Sequence, residues 1–377
     1  MSDAMKHAVS ILMLLLAVAV SSSAQDVQRE FSAQRQYDVQ FEQADMKYAF
    51  EDYKGSHNSW HRKFYKDLEA LLGLDRLGDI YKDFVPYAEQ LDCEDLGDIT
   101  RERWQVWTEP TMVIPFVLLR PKGEINNRPL IITPQGHDKN PEIYSGIYTD
   151  DNEREYIIKA DKDLALQAAR RGFIAINPTT RGFGKTRHPD DIKADAKNSC
   201  RYYHLRGLIA GRTLIGDRVW DVMKIIDWAL ANLPVDKNRI VVSGNSGGGT
   251  VSLYAGAMDR RISLCVPSSA FSSFAASIGT ISHCHCNHLP GIMHLCEMGD
   301  IAGLVAPRKL LIINGVKDRI FPIDAARSEF ETVKSVYEAF GAGDNCEMFE
   351  GHEGHRYYMA GLWDFLGRKY DTEGLNL

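Results

Sequence analysis

A chain of 377 residues that is 44% hydrophobic and 25% charged is long enough to bury a large core, as one big domain or as one domain with appendages. A net charge of −7 with no basic run argues against nucleic acid and anionic membrane as partners. The chemistry has to be read from local pattern.

Lys6 and His7 precede an apolar stretch from Ala8 to Val20, followed by Ser21-Ser22-Ser23-Ala24-Gln25. A weakly basic start, a short apolar core and small residues before the cut describe a secretory signal peptide over 1–24. The apolar stretch is short for a membrane span, and no later segment approaches that length. The expectation is an exported protein, periplasmic or secreted, free of the membrane after cleavage. Residues 25–90 are rich in Gln, Glu, Lys and aromatics. Trp60, Phe64, Leu68 and Leu71-Leu72 recur at helical spacing, which predicts an N-terminal helical arm with one packing face, ended by Gly73 and Gly78.

A catalytic domain is expected over 91–377. Arg103–Thr108 and Val113–Leu119 read as a hairpin closed by Pro121-Lys122-Gly123. A short buried strand, Leu130–Thr133, runs into Pro134-Gln135-Gly136-His137. A helix over Leu164–Arg171, a strand over Phe173–Asn177 and an amphipathic helix over Asp217–Asn232 follow. Arg239–Ser243 reads as a strand, as do Ile262–Pro267, Leu310–Asn314 and Glu347–Glu350. Ala325–Phe340 and Tyr357–Arg368 read as helices. Strands separated by helices of this length imply right-handed crossovers and a mainly parallel sheet with helices on both faces. Between Ala270 and Ala302 an irregular insert breaks the alternation, at a place suited to a lid or a substrate wall.

The segment Ile240-Val241-Val242-Ser243-Gly244-Asn245-Ser246-Gly247-Gly248-Gly249 carries the strongest signal. A β-branched run ends in G-x-S-x-G, and a small-residue helix follows. This is the layout of a nucleophile elbow, in which strained backbone exposes the serine hydroxyl above the sheet. A serine needs a base, and the base an orienting acid. The order should be Ser, then acid, then His. Asp318 follows the Leu310–Asn314 strand, and active-site groups gather at such strand ends. Asp324 is the second choice as acid, although its place suits a helix N-cap. His355 and His352 compete for the base in Glu350-Gly351-His352-Glu353-Gly354-His355-Arg356-Tyr357. His355 is favoured because it directly precedes the last helix and follows a glycine. Gly247 should supply one oxyanion N–H, and Gly136 or His137 the other.

Seven cysteines leave at least one unpaired within the chain. His283, Cys284, His285, Cys286, His288, His294 and Cys296 crowd into the insert. Soft ligands at that density would suit zinc. The spacing, however, is C-x-C rather than C-x₂-C, and a full triad needs no metal. No metal and no cofactor are therefore called for, and a disulfide through Cys286 or Cys296 or a histidine in a pocket wall is the preferred reading.

Glu109–Arg120, Gln135-Gly136-His137, Arg181-Gly182-Phe183-Gly184, Gly244–Gly248, Ala306-Pro307-Arg308, Asp318 and Gly354-His355 together resemble the α/β-hydrolase superfamily. Within it, the pattern is similar to the exported dienelactone-hydrolase-like and acetyl-xylan-esterase-like group, over about residues 100–370. Two departures stand out. Dienelactone hydrolases proper use a cysteine nucleophile where this chain has Ser246, and the oxyanion loop reads Gln-Gly-His rather than the commoner His-Gly. The resemblance implies a carboxylic-ester hydrolase, with Ser246 as nucleophile, Asp318 as acid and His355 as base, acting on a small-molecule or carbohydrate ester such as an acetyl ester. A serine peptidase of the prolyl-oligopeptidase type shares the triad, but the roughly 75 residues before the first strands cannot supply its propeller. A non-catalytic or zinc-binding protein on the same fold is the third reading.

Overall fold

The computed structural model describes residues 33–123 and 126–377. The expected signal peptide lies outside the described residues. No helix among the described residues is long and apolar enough to cross a membrane.

The expected arm over 25–90 is not one element. The chain up to Ala44 is a unit of its own, and its described part holds helix α1, Gln34–Glu42. From Asp45 onward the chain belongs to the main unit. There, helix α2 spans His57–Leu72, capped by the Ser56 hydroxyl, which accepts from the Ser59 N–H, and ended by Gly73 at φ +79°. Its buried face is Trp60, Phe64, Leu68 and Leu72, the stripe read from the sequence. Each of these side chains contributes about 1.5–3 kcal/mol of burial. Trp60 Nε1 donates to the Tyr48 carbonyl at 2.8 Å, and the Tyr65 hydroxyl to the Met258 carbonyl at 2.9 Å. The short helix α3, Leu74–Ile80, follows.

Nine strands form one sheet in the order β1-β2-β3-β5-β4-β6-β7-β8-β9. They span Tyr87–Asp95, Ile99–Glu109, Met112–Pro121, Arg128–Ile132, Ile174–Pro178, Val235–Asn245, Leu264–Ser268, Lys309–Gly315 and Cys346–Gly351. The pairings β1–β2, β2–β3 and β3–β5 are antiparallel, and the rest are parallel. The expected hairpin is β2–β3, but its turn is at Pro110-Thr111, with Glu109 opposite Met112. Pro121-Lys122-Gly123 instead follows the far end of β3 from that turn.

β1 departs from the expectation, which places its residues 87–90 in the arm. It is an edge strand, exposed along almost its whole length, so it lacks the apolar alternation that betrays a half-buried strand. Polar pairs hold it to β2: Glu94–Arg101 at 2.6 Å and Asp92–Arg103 at 3.2 Å. Charge on an edge strand also discourages pairing with other chains.

The helices are α4 Asp151–Lys159, α5 Leu164–Arg170, α6 Pro189–Lys193, α7 Cys200–Ile209, α8 Leu214–Asn232, α9 Gly247–Met258, α10 Met298–Gly303, α11 Ile323–Ala339 and α12 Met359–Lys369. The sheet is buried on both faces. Ile132, Ile176, Ile240 and Val242 join one core with Val219, Ile225 and Ile226 of α8. Their neighbours Ile131, Ala175 and Val241 join a second with Leu164, Ala168, Leu362 and Phe365. That doubly covered, largely parallel sheet is the architecture the sequence led us to expect.

A buried ion network locks the hairpin to α8. Arg181 bonds Asp221 and Glu109, at 2.6 and 2.7 Å, and Arg212 bonds Glu109 at 2.7 Å and Asp217 at 2.8 Å. Burial pushes the Glu109 carboxyl up, but Arg212 and Arg181 outweigh it and hold the group down at about 2.

Candidate active site

The C-terminal ends of β4, β6, β8 and β9 carry Gly136 and His137, Ser246 and Gly247, Asp318, and His352 and His355 to one edge of the sheet. Ser246 sits between β6 and α9 with φ 56° and ψ −123°. L-residues seldom adopt that backbone, and its strain is the mark of an elbow. The turn is pinned from both sides. The Ser246 N–H donates to the Ser268 carbonyl at 2.8 Å, and its carbonyl accepts from the Thr250 N–H at 2.9 Å. The glycines are sterically required: a Cβ on Gly248 would stand 2.0 Å from the Pro134 carbonyl oxygen, and one on Gly244 would stand 2.4 Å from it. The close neighbour is thus the loop after β4 as well as the elbow helix.

That loop is the expected oxyanion segment. A Cβ on Gly136 would meet Asn245 O at 2.7 Å and Ser246 Cβ at 3.5 Å, so Gly136 lies directly against the nucleophile turn. The Tyr144 hydroxyl accepts from the Asn245 N–H at 3.3 Å. His137 covers Gly247: a Cβ there would stand 2.6 Å from its Cε1 and Nδ1. Gly247 opens α9, where the first N–H groups have no intrahelical acceptor.

Asp318 and His355 are brought together. The His355 Nδ1–Asp318 Oδ2 distance is 2.8 Å. The Asp318 side chain is wholly buried, and its other oxygen accepts from the Ile320 and Phe321 N–H groups at 2.8 and 3.1 Å. A carboxylate so held cannot turn away from the imidazole. The Phe321 ring stacks on His355 with centroids 6.1 Å apart. The competing residues make no such pairing. The His352 side chain is 85% exposed, and its ion-pair contact is Glu353 at 3.9 Å. Asp324 is not the N-cap of α11 but a first-turn residue, exposed and bonded to Arg327 at 3.0 Å.

One residue of the insert enters the site. His283 meets Phe321 edge-on at 5.5 Å, and its electrostatic neighbours include His137, His355 and Asp318. Burial, reinforced by the imidazoles of His137, His288 and His355, pushes it down to about 4. Its Nδ1 takes the Asn287 side-chain amide at 2.7 Å, while its Nε2 is buried with no partner. The sequence had suggested a histidine in a pocket wall without identifying which one, because the insert has no periodicity to orient it. All seven cysteines are free thiols. The expected disulfide through Cys286 or Cys296 is not formed: Cys296 is fully buried in the main apolar core, and Cys286 lies among other donors.

A model of the Abhydrolase family matches residues 18–362 of the chain. A Bacillus subtilis (strain 168) protein classed as a hydrolase, YtaP, is 26% identical over 151 residues, 39% of this chain and 50% of that one. A 4-O-methyl-glucuronoyl methylesterase of Sodiomyces alcalophilus is 26% identical over 189 residues, 41% of this chain and 38% of its own. The chain thus spans half or less of the length of these relatives. Among solved structures, a Bacteroides fragilis protein classed as an acetyl xylan esterase superposes with a TM-score of 0.69 at 19% identity, covering 86% of this chain and 84% of that one. The acetyl xylan esterase from Paenibacillus sp. R4 superposes with a TM-score of 0.56 at 16% identity, covering 82% and 95%. At these identities the structural likeness is one of fold.

Proposed function

The chain belongs to the Abhydrolase family, and on that premise we propose that it is a serine carboxylic-ester hydrolase that removes short acyl groups, acetyl above all, from carbohydrate. The observation that carries this reading is the Asp318–His355 bond at 2.8 Å, made by a fully buried carboxylate in the loop after β8, at the same edge of the sheet as the strained Ser246 turn after β6. With its Nδ1–H given to Asp318, His355 keeps Nε2 free as a base. Ser246 Oγ attacks the ester carbonyl while His355 Nε2 takes its proton. The tetrahedral oxyanion is held by the N–H of Gly247 and by that of His137. Each such donor is worth roughly 3–4 kcal/mol of transition-state stabilisation. Collapse expels the alcohol, which takes the proton back from His355. Water activated by the same imidazole then releases the acid from Ser246.

The neutral His283, with its Nε2 buried and unpartnered in the protein, is positioned to bind the substrate rather than to move protons. The likeness to acetyl xylan esterases supports the carbohydrate ester, and the likeness to a glucuronoyl methylesterase supports a sugar on the alcohol or the acid side. The basic and apolar pattern of residues 6–24 supports export. The test is hydrolysis of p-nitrophenyl acetate, acetylated xylan and methyl glucuronate by wild type and by Ser246→Ala. The account expects release of acetate from the first two by wild type alone. Turnover of methyl glucuronate alone would move the substrate to the uronic ester, and equal rates in the two proteins would remove the serine mechanism.

A further inference from the structure

Four donor groups converge beside the oxyanion loop. His137 comes from the loop after β4, Cys200 from the first position of α7, and Cys284 and Cys286 from the insert after β7. Their ligand atoms, one imidazole nitrogen and three sulfurs, all lie within 4.8 Å of one another. His137 Nε2 is 3.2 Å from Cys286 Sγ, which is 3.3 Å from Cys284 Sγ. We propose that His137, Cys200, Cys284 and Cys286 form a Cys3His site for a structural zinc ion that ties the insert to the oxyanion loop.

Three observations carry this. The first is distance. Zinc–sulfur bonds of about 2.3 Å and zinc–nitrogen bonds of about 2.0–2.1 Å in a tetrahedron place donors roughly 3.5–3.8 Å apart. The His137–Cys286 and Cys286–Cys284 edges, at 3.2 and 3.3 Å, need lengthen by only a few tenths of an ångström, and no other edge exceeds 4.8 Å. The second is charge. Arg218 is buried among the described residues with no carboxylate beside it. Its Nε and Nη2 donate to the Arg181 carbonyl, and its Nη2 lies 3.2 Å from Cys200 Sγ. Three thiolates, one neutral imidazole and Zn²⁺ sum to one negative charge, which this guanidinium would offset. A buried cation without a counter-ion is otherwise costly. The third is the shell. Cys200 and Cys286 belong to a small apolar cluster of their own with Phe183 and Leu214, backed by Tyr203 and Cys284. This cluster is separate from the two main cores and suited to exclude water from a metal. The C-x-C spacing alone spoke against a metal because two of the four ligands lie about 85 and 150 residues upstream of it, where no local motif could reveal them.

A disulfide is the rival. It would consume two sulfurs, leaving the third and the imidazole without a role, whereas a metal uses all four. The site itself does not depend on the esterase reading. Its consequence for catalysis, a His137 backbone fixed for the oxyanion, does.

The experiment measures metal, not turnover. Full-length protein is purified from zinc-supplied cells without chelator and its metal content and intact mass are determined. It is then reconstituted with Co²⁺ after zinc removal. We expect one zinc per chain and a fully reduced mass. We also expect a cobalt form with a thiolate-to-metal charge-transfer band and the intense visible bands of tetrahedral Co²⁺, and loss of stoichiometric zinc in Cys284→Ser and Cys286→Ser. If those variants fail to fold, the spectrum of the cobalt-substituted wild type decides. A zinc-free protein whose mass is two hydrogens short, locating a disulfide among these cysteines, would overturn the proposal. So would a reduced protein that takes up neither zinc nor cobalt.

Discussion

On the elbow side of the site, backbone holds the geometry. Ser246 is clamped through its own N–H and C=O, and Gly244 and Gly248 leave so little room that the Pro134 carbonyl fills the place of a side chain. On the insert side, side chains hold it. The Glu297 carboxylate accepts from the Phe274 N–H at 2.9 Å and from the Met298 N–H, and so ties the start of the insert to its end. Asn287 orients His283, and Cys284 and Cys286 meet residues from two other segments. Backbone clamps resist change in pH and composition. Side-chain clamps can be tuned.

The largest effect should separate two histidines three residues apart. His355→Ala is expected to lower kcat/KM by about 10³–10⁴-fold, and His352→Ala by less than about twofold, in ester hydrolysis assays. A comparable loss in both would mean that the Asp318 pairing is only structural.

Next, Gly248→Ala should cost about 1–3 kcal/mol of stability, or more, because its Cβ has backbone rather than a flexible side chain to displace. Denaturant unfolding reads this directly. His283→Ala should instead leave stability nearly unchanged and raise KM about tenfold, the loss of one hydrogen bond to the substrate. If the histidine change destabilises and the glycine change does not, the contrast between the two sides is reversed.

The smallest effect is a pH dependence confined to the insert side. Burial, chiefly, raises Glu297, Asp300 and Glu329 to about 7 each, and their mutual repulsion and that of Glu51 add to it. Tyr254, Cys296 and Glu51 are the other titratable groups facing them. These carboxyls bind protons more tightly in the folded than in the unfolded chain. Stability should therefore be highest near pH 4–5, fall as pH rises toward 7, and level off above. Glu329→Gln keeps an acceptor for the Gly299 N–H. It should match wild type near pH 5 and exceed it, on the order of 1 kcal/mol, at pH 8. An unchanged slope in thermal melts across that range would refute the assignment.

The two sides also differed in how far the sequence revealed them. The elbow was legible because its constraints are local: a β-branched strand, glycines at fixed offsets and a following helix all fall within ten residues. Asp318 and the last loop were legible from strand ends, and the Trp60–Leu72 stripe from its period. β1 was hidden because an edge strand held by ion pairs has no apolar alternation. Asp324 reads as a cap in the sequence because an acid near a helix start looks alike whether it caps the end or stands exposed in the first turn. The role of His283 and the meeting of His137 with Cys200, Cys284 and Cys286 were hidden because those contacts join residues up to 149 positions apart, and an insert without periodicity gives no face to align.

The central claim is that Ser246 is a nucleophile activated by His355. A serine-directed fluorophosphonate followed by peptide mass spectrometry tests it most directly. The account predicts a single adduct on the peptide containing Ser246, absent from Ser246→Ala and formed far more slowly in His355→Ala. Labelling of another residue, or undiminished labelling in either variant, would contradict it.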